Sequence, residues 1–222
     1  MVDILREARL FLIESLKDQI NPYETVHPWR KDWKYVVLHT LRVEQTVINI
    51  LAQEQHSLTA EEIENLQLAT ILHDIGKFVN REQHAPVGAK IAGEWLKKQA
   101  LSEDAVLRIV DLIANHANKT GQEADYSKAV LQDADVLDEI GALSIFMTGN
   151  WVDRSSPFFF DLVKERIQSF EIRFCEDRMQ VLNTAAAKKI LQERQRFIKG
   201  FADQLQDELA SNCDIEDFLK TM

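Results

Sequence analysis

Apolar residues recur at threes and fours along most of the chain, the spacing of helices that each bury one face. Ile4, Leu5, Ala8, Leu12 and Leu16 begin the pattern and predict a helix over about 2–19. The breaks at Asn21-Pro22 and His27-Pro28 set it off from a second periodic stretch, because proline brings no amide hydrogen to a helix and restricts the residue before it. That stretch, about 33–54, carries Val36, Val37, Leu41, Val47, Ile48 and Leu51, with His39 inside it. Thr59 and Glu62 stand at capping-box spacing, and Ile63, Leu66, Thr70 and Leu72 continue toward His73, with Gly76 as the expected stop. A polar loop over 77–84 precedes a helix that starts near Pro86 and holds Ile91, Trp95 and Leu96. Ser102 caps the next helix, where Leu107, Ile109, Val110, Leu112 and Ile113 lead to His116.

Residues 118–127 read as loop. From 129 to 140 the pattern is apolar and periodic except for Asp133, Asp135, Asp138 and Glu139, and Gly141 ends that helix. Gly149, Asn150, Ser155, Ser156 and Pro157 mark a loop over 148–157. Two long closing helices follow, over 158–174 and 184–209, and the tail from Asp214 reads as a short acidic helix or a frayed end. With no internal repeat and no paired strand pattern, the expected architecture is one all-α domain spanning 1–222.

Composition narrows the function. The 222 residues are 45% hydrophobic with seven Gly and four Pro, which excludes collagen-like and largely disordered chains. A net charge of -10 gives no long-range attraction for duplex nucleic acid. A small anion stays within reach, because a metal and one or two cations can hold it locally. Cys175 and Cys213 have none of the spacings of zinc or redox motifs and read as free thiols. Asp3, Arg6, Glu7, Arg9 and Glu14 interrupt the first apolar segment, and no apolar run is long enough to span a bilayer. A cytoplasmic protein without membrane contact is therefore expected.

The candidate chemistry lies in His39, His73, Asp74, His84, His116 and Asp135, at helix ends or inside apolar helices. A single helical histidine is usually a hydrogen-bonded core or surface residue. His73-Asp74 is different: an imidazole and a carboxylate sit side by side at the end of an apolar helix, where an unpaired buried charge costs several kcal/mol. A divalent cation offsets that cost. Borderline and hard dications accept mixed imidazole and carboxylate ligands, and an octahedral shell needs donors from other segments. His39 and one of Asp133, Asp135 and Asp138 are natural suppliers.

This arrangement resembles the HD-domain metal-dependent phosphohydrolase superfamily, whose pattern is a histidine, a His-Asp doublet and a distant aspartate on separate helices. The motifs are His39-Thr40-Leu41-Arg42-Val43, His73-Asp74-Ile75-Gly76-Lys77, His84-Ala85-Pro86-Val87-Gly88-Ala89, Asn115-His116 and Gln132-Asp133-Ala134-Asp135-Val136-Leu137-Asp138. They cover an HD core of about 33–145, and Met179 to Arg194 is more weakly similar to a family carboxyl-terminal helix pair, within closing helices over about 157–210. The resemblance implies a single-domain HD-type helical bundle with a metal site between helices. His39, His73, Asp74 and Asp135 would hold a divalent metal (Mn, Mg, Ni, Co, Fe or Zn), Asp135 being chosen by the similarity of Ala134-Asp135-Val136-Leu137 to the family's A-D-x-L. Asp133 and Asp138 would then point elsewhere or accept hydrogen bonds behind the ligands.

Three readings stay open for His84 and His116: ligands of a second metal bridged by Asp74, contacts to a substrate phosphate, or ordinary buried histidines. Ala117 stands where some two-metal relatives carry a further histidine. Lys77 is either a point charge for phosphate or a solvated lysine at a helix end. Arg42 either contacts phosphate or holds a carboxylate such as Asp74 or Asp138. The tryptophans read as core or rim aromatics, with Trp151 in its polar loop the exception. Two segments, 29–34 and the loop around Gly149-Asn150-Trp151, depart from the family pattern and border the expected substrate.

The function implied is metal-dependent hydrolysis of a phosphoester or phosphoanhydride in a nucleotide or similar small phosphorylated molecule. Asp74, Lys77 and Arg42 would be catalytic, with Lys77, Arg42, His84 and His116 binding substrate. A di-iron oxygenase of the same fold uses the same ligand types in the same order, although Lys77 has no evident use in activating dioxygen. A non-catalytic nucleotide-binding module is the third alternative. The sequence does not give the oligomeric state.

Overall fold

The computed structural model describes residues 3–210, and those residues are all-α. The first helix, α1 (Ile4–Leu16), starts where the Asp3 carboxylate accepts from the amides of Leu5 and Arg6. It ends three residues before the predicted limit, because Lys17 turns extended and Asp18 takes a positive φ of 60°. A strap follows, closed by an isolated antiparallel bridge between Ile20 and Asp32 and containing a single 3₁₀ turn, Pro28–Lys31. Next come α2 (Lys34–Gln53) and α3 (Ala60–Leu72), and the capping box of Thr59 and Glu62 is present in both directions. The helix α4 (His84–Leu96) begins before Pro86, which therefore sits in its first turn, where a missing amide hydrogen costs nothing. Ser102 caps α5 (Glu103–Asn115) as expected.

Two predicted boundaries shift. The helix expected over 129–140 is α6 (Tyr126–Leu137), begun early by the Asp125 side chain, which accepts from the Lys128 amide. It also stops early, since Asp138 is extended, Glu139 has φ 62° and Gly141 has φ 109°. Gly141 thus precedes a further short helix, α7 (Ala142–Thr148), instead of simply ending α6. The first of the two closing helices is longer than predicted: α8 (Phe159–Arg166) runs through a π-helical stretch, Ile167–Glu171, into α9 (Ile172–Met179). The second is α10 (Ala185–Leu209), begun by Thr184, whose hydroxyl accepts from the Ala187 amide. Cys175 is a buried free thiol, whereas Cys213 and the tail from Asp214 lie outside the described residues. Among the described residues no helix is long and apolar enough to cross a membrane.

The chain divides into two compact units. One comprises the chain up to Asp138 with Arg178–Ile190; the other comprises Glu139–Asp177 with the chain from Leu191. In the second unit Val163, Ile167, Leu191, Ile198 and Ala202 are buried, and buried Glu171 accepts from the Thr148 hydroxyl at 3.0 Å.

The first unit is organised around α3. Leu66, Leu68, Ala69, Ile71 and Leu72 of that helix are fully buried, so the stretch from Leu68 to Leu72 is enclosed on every side. Val43, Val47 and Ile50 of α2, Leu96 of α4, Ile109, Leu112 and Ile113 of α5, and Leu131 and Leu137 of α6 complete this core. Each such side chain contributes about 1.5–3 kcal/mol relative to its exposed form. Thr70 is fully buried, and its hydroxyl donates to the Leu66 carbonyl at 2.7 Å. A helix buried in this way delivers the next residues, His73 and Asp74, to the interior of the unit.

Glycine makes that delivery possible at one point. A Cβ on Gly76 would lie 2.5 Å from the His84 carbonyl oxygen and 2.7 Å from the Gly88 nitrogen, both backbone atoms. The turn after His73-Asp74 therefore lies directly on the start of α4. Gly76→Ala is expected to destabilise the protein by about 2–3 kcal/mol, because backbone on both sides must move. Urea denaturation monitored by circular dichroism measures the loss.

Candidate metal centre

Each of the six predicted donor residues is placed by the end or buried face of a helix. His39 lies on the inward face of α2, and Tyr35, one turn earlier, stacks on its ring at 6.4 Å. His73 and Asp74 follow α3, His84 opens α4, His116 closes α5, and Asp135 is in the last turn of α6. All six meet in the first unit.

The four imidazoles share one device. Nδ1 of His73 donates to the Thr70 carbonyl at 2.7 Å, Nδ1 of His84 to the Arg81 carbonyl at 2.8 Å, and Nδ1 of His116 to the Ile113 carbonyl at 2.7 Å. In each case the acceptor lies three residues back, and a carbonyl only accepts, so the hydrogen must be on Nδ1. Nδ1 of His39 is 2.6 Å from Oδ2 of Asp138. Every Nε2 is thereby left to face the centre.

There the donor atoms crowd. His39 Nε2 is 3.2 Å from His73 Nε2, 3.3 Å from Asp135 Oδ1 and 3.4 Å from Asp74 Oδ2. His84 Nε2 is 3.2 Å from His116 Nε2 and 3.5 Å from Asp74 Oδ1, and His116 Nε2 is 3.7 Å from that same oxygen. Asp74 thus turns one oxygen toward His39 and the other toward His84 and His116. Octahedral bonds of about 2.1 Å put adjacent donor atoms about 3 Å apart. Two overlapping groups, His39 with His73 and Asp135, and His73 with Asp74 and His116, have the chemistry and proximity to hold a metal ion.

Electrostatics sets the charge that each of these groups carries. Burial opposes charge on His39, but hydrogen bonds to Asp135 and Asp138 and the nearby Asp74 carboxylate carry its pKa up to about 10. Burial pushes His73 down to about 4 against the pull of Asp74. Burial alone would raise Asp74 and Asp135, yet Lys77 beside the first and Lys119 beside the second hold both well below the usual carboxylate range. With a pKa of about 10, His39 carries a second proton at neutral pH, a positive charge among donor atoms that would otherwise repel.

Two supporting contacts resolve alternatives left open by the sequence. The Arg42 guanidinium donates from Nε to Asp138 Oδ1 at 2.7 Å and from Nη2 to Oδ2 at 2.9 Å, so it holds the carboxylate that orients His39. Asp138 is thus an acceptor behind a donor residue, and with burial opposed by the His39 and Arg42 bonds its pKa falls to about 2. Asp133 points elsewhere and accepts from the amides of Asn183 and Thr184 at 2.8 and 2.7 Å. Lys77 Nζ is 3.0 Å from Asp74 Oδ2. Sequence reasoning missed Lys119, whose ammonium pairs with Oδ2 of Asp135. Its position three residues beyond His116 is the one cue, and a loop carries no periodicity to aim it.

Residues 36–140 match the family model of the HD domain. Those residues form an HD domain. Solved structures agree in fold. A predicted HD superfamily hydrolase from an uncultured Thermotogales bacterium is 22% identical, with 93% of each chain covered and a TM-score of 0.63. YpgQ from Bacillus subtilis is 16% identical over 93% of this chain and 96% of its own, with a TM-score of 0.60. The same protein in complex with ADP gives 17%, 93%, 98% and 0.56. Among curated proteins no sequence matches. The HD domain so defined contains all six donor residues, Arg42, Lys77, Lys119 and Asp138, while the strap between α1 and α2 precedes it.

The His39 proton has a measurable consequence. A pKa raised from 6.5 to about 10 on folding contributes stability that is fully present below pH 6.5 and is lost as pH rises through 10. In chelator, the stability of the HD domain is therefore expected to fall steadily between pH 7 and pH 9, and His39→Gln is expected to flatten that slope. Urea unfolding at pH 7, 8 and 9 checks both; an equal slope in the variant contradicts the assignment.

Proposed function

We propose that the protein is a metal-dependent phosphohydrolase that cleaves a phosphoester or phosphoanhydride bond in a nucleotide or similar small phosphorylated molecule. The observation that carries this reading is the donor accounting at the centre. Four imidazole Nε2 atoms and the carboxylates of Asp74 and Asp135 face one space, and each Nδ1 hydrogen is already committed elsewhere. His39, His73, Asp74 and Asp135 would hold the first divalent metal, and His84 and His116 a second, with Asp74 between them. When bound, such a cation supplies Lewis-acid charge at the phosphoryl group and a lowered pKa for water in the pocket.

The remaining roles belong to the chain. Asp74, buried and held by Lys77, fixes the orientation of the centre and of the attacking water. The Lys77 side chain is about one-third exposed, so its ammonium can meet a phosphate oxygen while balancing Asp74. Lys119 does the same beside Asp135. Arg42 works through Asp138, keeping the His39 ring turned to the centre, and is a positioning residue. The bound ADP in the YpgQ complex is a nucleoside diphosphate on a chain of the same fold, which supports a phosphorylated ligand here.

Metal titration followed by a phosphatase and nucleotide panel with Mn, Mg, Co or Ni tests the proposal. Asp74→Ala is expected to lose both metal binding and turnover. Asp138→Asn is expected to weaken metal affinity about 10–100-fold, the usual effect of removing a partner behind a ligand. Unaltered turnover in Asp74→Ala overturns the assignment. Co-purification with two irons and oxygen consumption on an organic substrate would move the site to the oxygenase reading, and tight nucleotide binding without metal-stimulated turnover to the non-catalytic one.

A further inference from the structure

A cavity of about 300 Å³ opens beside the centre and shares Lys77 and His84 with it. Its other walls come from the strap, from the start of α2 and from the loop before α4, through Tyr23, Arg30, Tyr35 and Arg81 among others. A larger cavity of about 650 Å³, bordered by Glu54, Glu123 and Lys189, shares no lining residue with the centre.

The wall is a constructed one. The Asn21 amide donates to the Lys31 carbonyl at 2.9 Å, and Lys31 Nζ donates to the Tyr23 carbonyl at 2.7 Å, closing the strap on itself. The Tyr23 hydroxyl accepts from the Arg81 amide at 2.8 Å and so joins the strap to the loop that follows the His-Asp doublet. The Arg81 guanidinium lies over the Tyr23 ring at 6.0 Å, and that of Arg30 over Tyr35 at 5.4 Å.

The charges of this cavity reverse those of the molecule. Arg30, Lys77 and Arg81 line it, with Glu24 as the one acid among its lining residues, in a chain of net charge -10. Like charges gathered in a partly enclosed space repel, and an anion that enters relieves the repulsion. The helix that starts at His84, a lining residue, has no side-chain cap at its amino end, which adds to the positive field.

We propose that this cavity is an anion subsite, built largely by the strap ahead of the HD domain, that takes the phosphate group adjoining the one attacked at the centre. In its reference to attack this rests on the phosphohydrolase reading. Substrates with two linked phosphates then engage Arg30 and Arg81 as well as the lysines at the centre, whereas a monoester engages only Lys77 and Lys119. The strap, which lies outside the family's shared domain, becomes the element that selects phosphoanhydrides.

Calorimetric titration of the whole chain with inorganic pyrophosphate and with orthophosphate, in chelator and at low salt, tests the subsite without metal or turnover. Pyrophosphate is expected to bind at least tenfold more tightly than orthophosphate. Arg81→Gln and Arg30→Gln are each expected to weaken pyrophosphate about tenfold, as loss of a charge-assisted contact does, with the fold verified by circular dichroism. Arg6→Gln, on α1, serves as the control for net charge. Equal affinity for the two anions, or pyrophosphate affinity unmoved in both cavity variants, overturns the proposal. If pyrophosphate binding depends on Arg30 and Arg81 but no metal restores hydrolysis, the subsite stands and the phosphohydrolase reading falls; hydrolysis with no such dependence gives the reverse.

Discussion

The structure depends on keeping lone pairs together. Four imidazole nitrogens and two carboxylates approach to within 3.2–3.9 Å of one another, an arrangement that repels itself unless something positive lies among the donors. Each imidazole is locked by its own Nδ1 hydrogen bond, three of them to a carbonyl three residues earlier in the chain. Those three anchors are local, so for His73, His84 and His116 the tertiary fold has only to bring helix ends together, whereas the His39 ring is set across the fold by Asp138. This division of labour lets donors from five segments share one small volume.

The packing that brings those ends together is correspondingly tight. α3 is buried on all sides near its end, and its burial forces His73 and Asp74 inward where water cannot solvate them. The approach of the Gly76 turn to the His84 carbonyl then sets the distance between the two halves of the centre, since His84 and Asp74 flank that contact. A side chain at position 76 would therefore act on function through geometry as well as on stability. Core packing and site geometry are here the same constraint.

Much of this was legible in the sequence because it rests on periodicity. The apolar face of α2 placed His39, the capping box fixed the start of α3, and the His73-Asp74 doublet stood out as charge at the end of an apolar run. The choice of Asp135 came from resemblance, since periodicity alone left three aspartates open. What was not legible lies where the chain leaves regular structure. Asp138 reaches His39 because α6 stops at Leu137 and the next residue turns extended, with φ -62° and ψ 143°; a helix carried on to 140 does not reveal that contact. Lys119 comes from a loop, and the strap is shaped by side-chain bonds such as Tyr23 to the Arg81 amide, which join residues 58 positions apart. Neither leaves a pattern along the sequence. Arg42 was ambiguous for a different reason: its spacing from His39 fits both roles, and only the position of Asp138 decides between them.

The charge balance of the centre bears on the ligand it suits. Asp74, Asp135 and Asp138 carry three negative charges, and Lys77, Lys119 and Arg42, which pair with them in turn, carry three positive ones. The carboxylates are thus balanced by cations of the chain itself, and the proton that a pKa of about 10 keeps on His39 is surplus charge. Exchanging that proton for one dication at His39, His73, Asp74 and Asp135 would raise the net charge of the centre from +1 to +2. In a buried setting such an excess favours an incoming dianion strongly. A phosphoryl group would supply that charge and a neutral organic substrate would not, which is how the lysines beside Asp74 and Asp135 support the proposed phosphohydrolase reading over the alternatives.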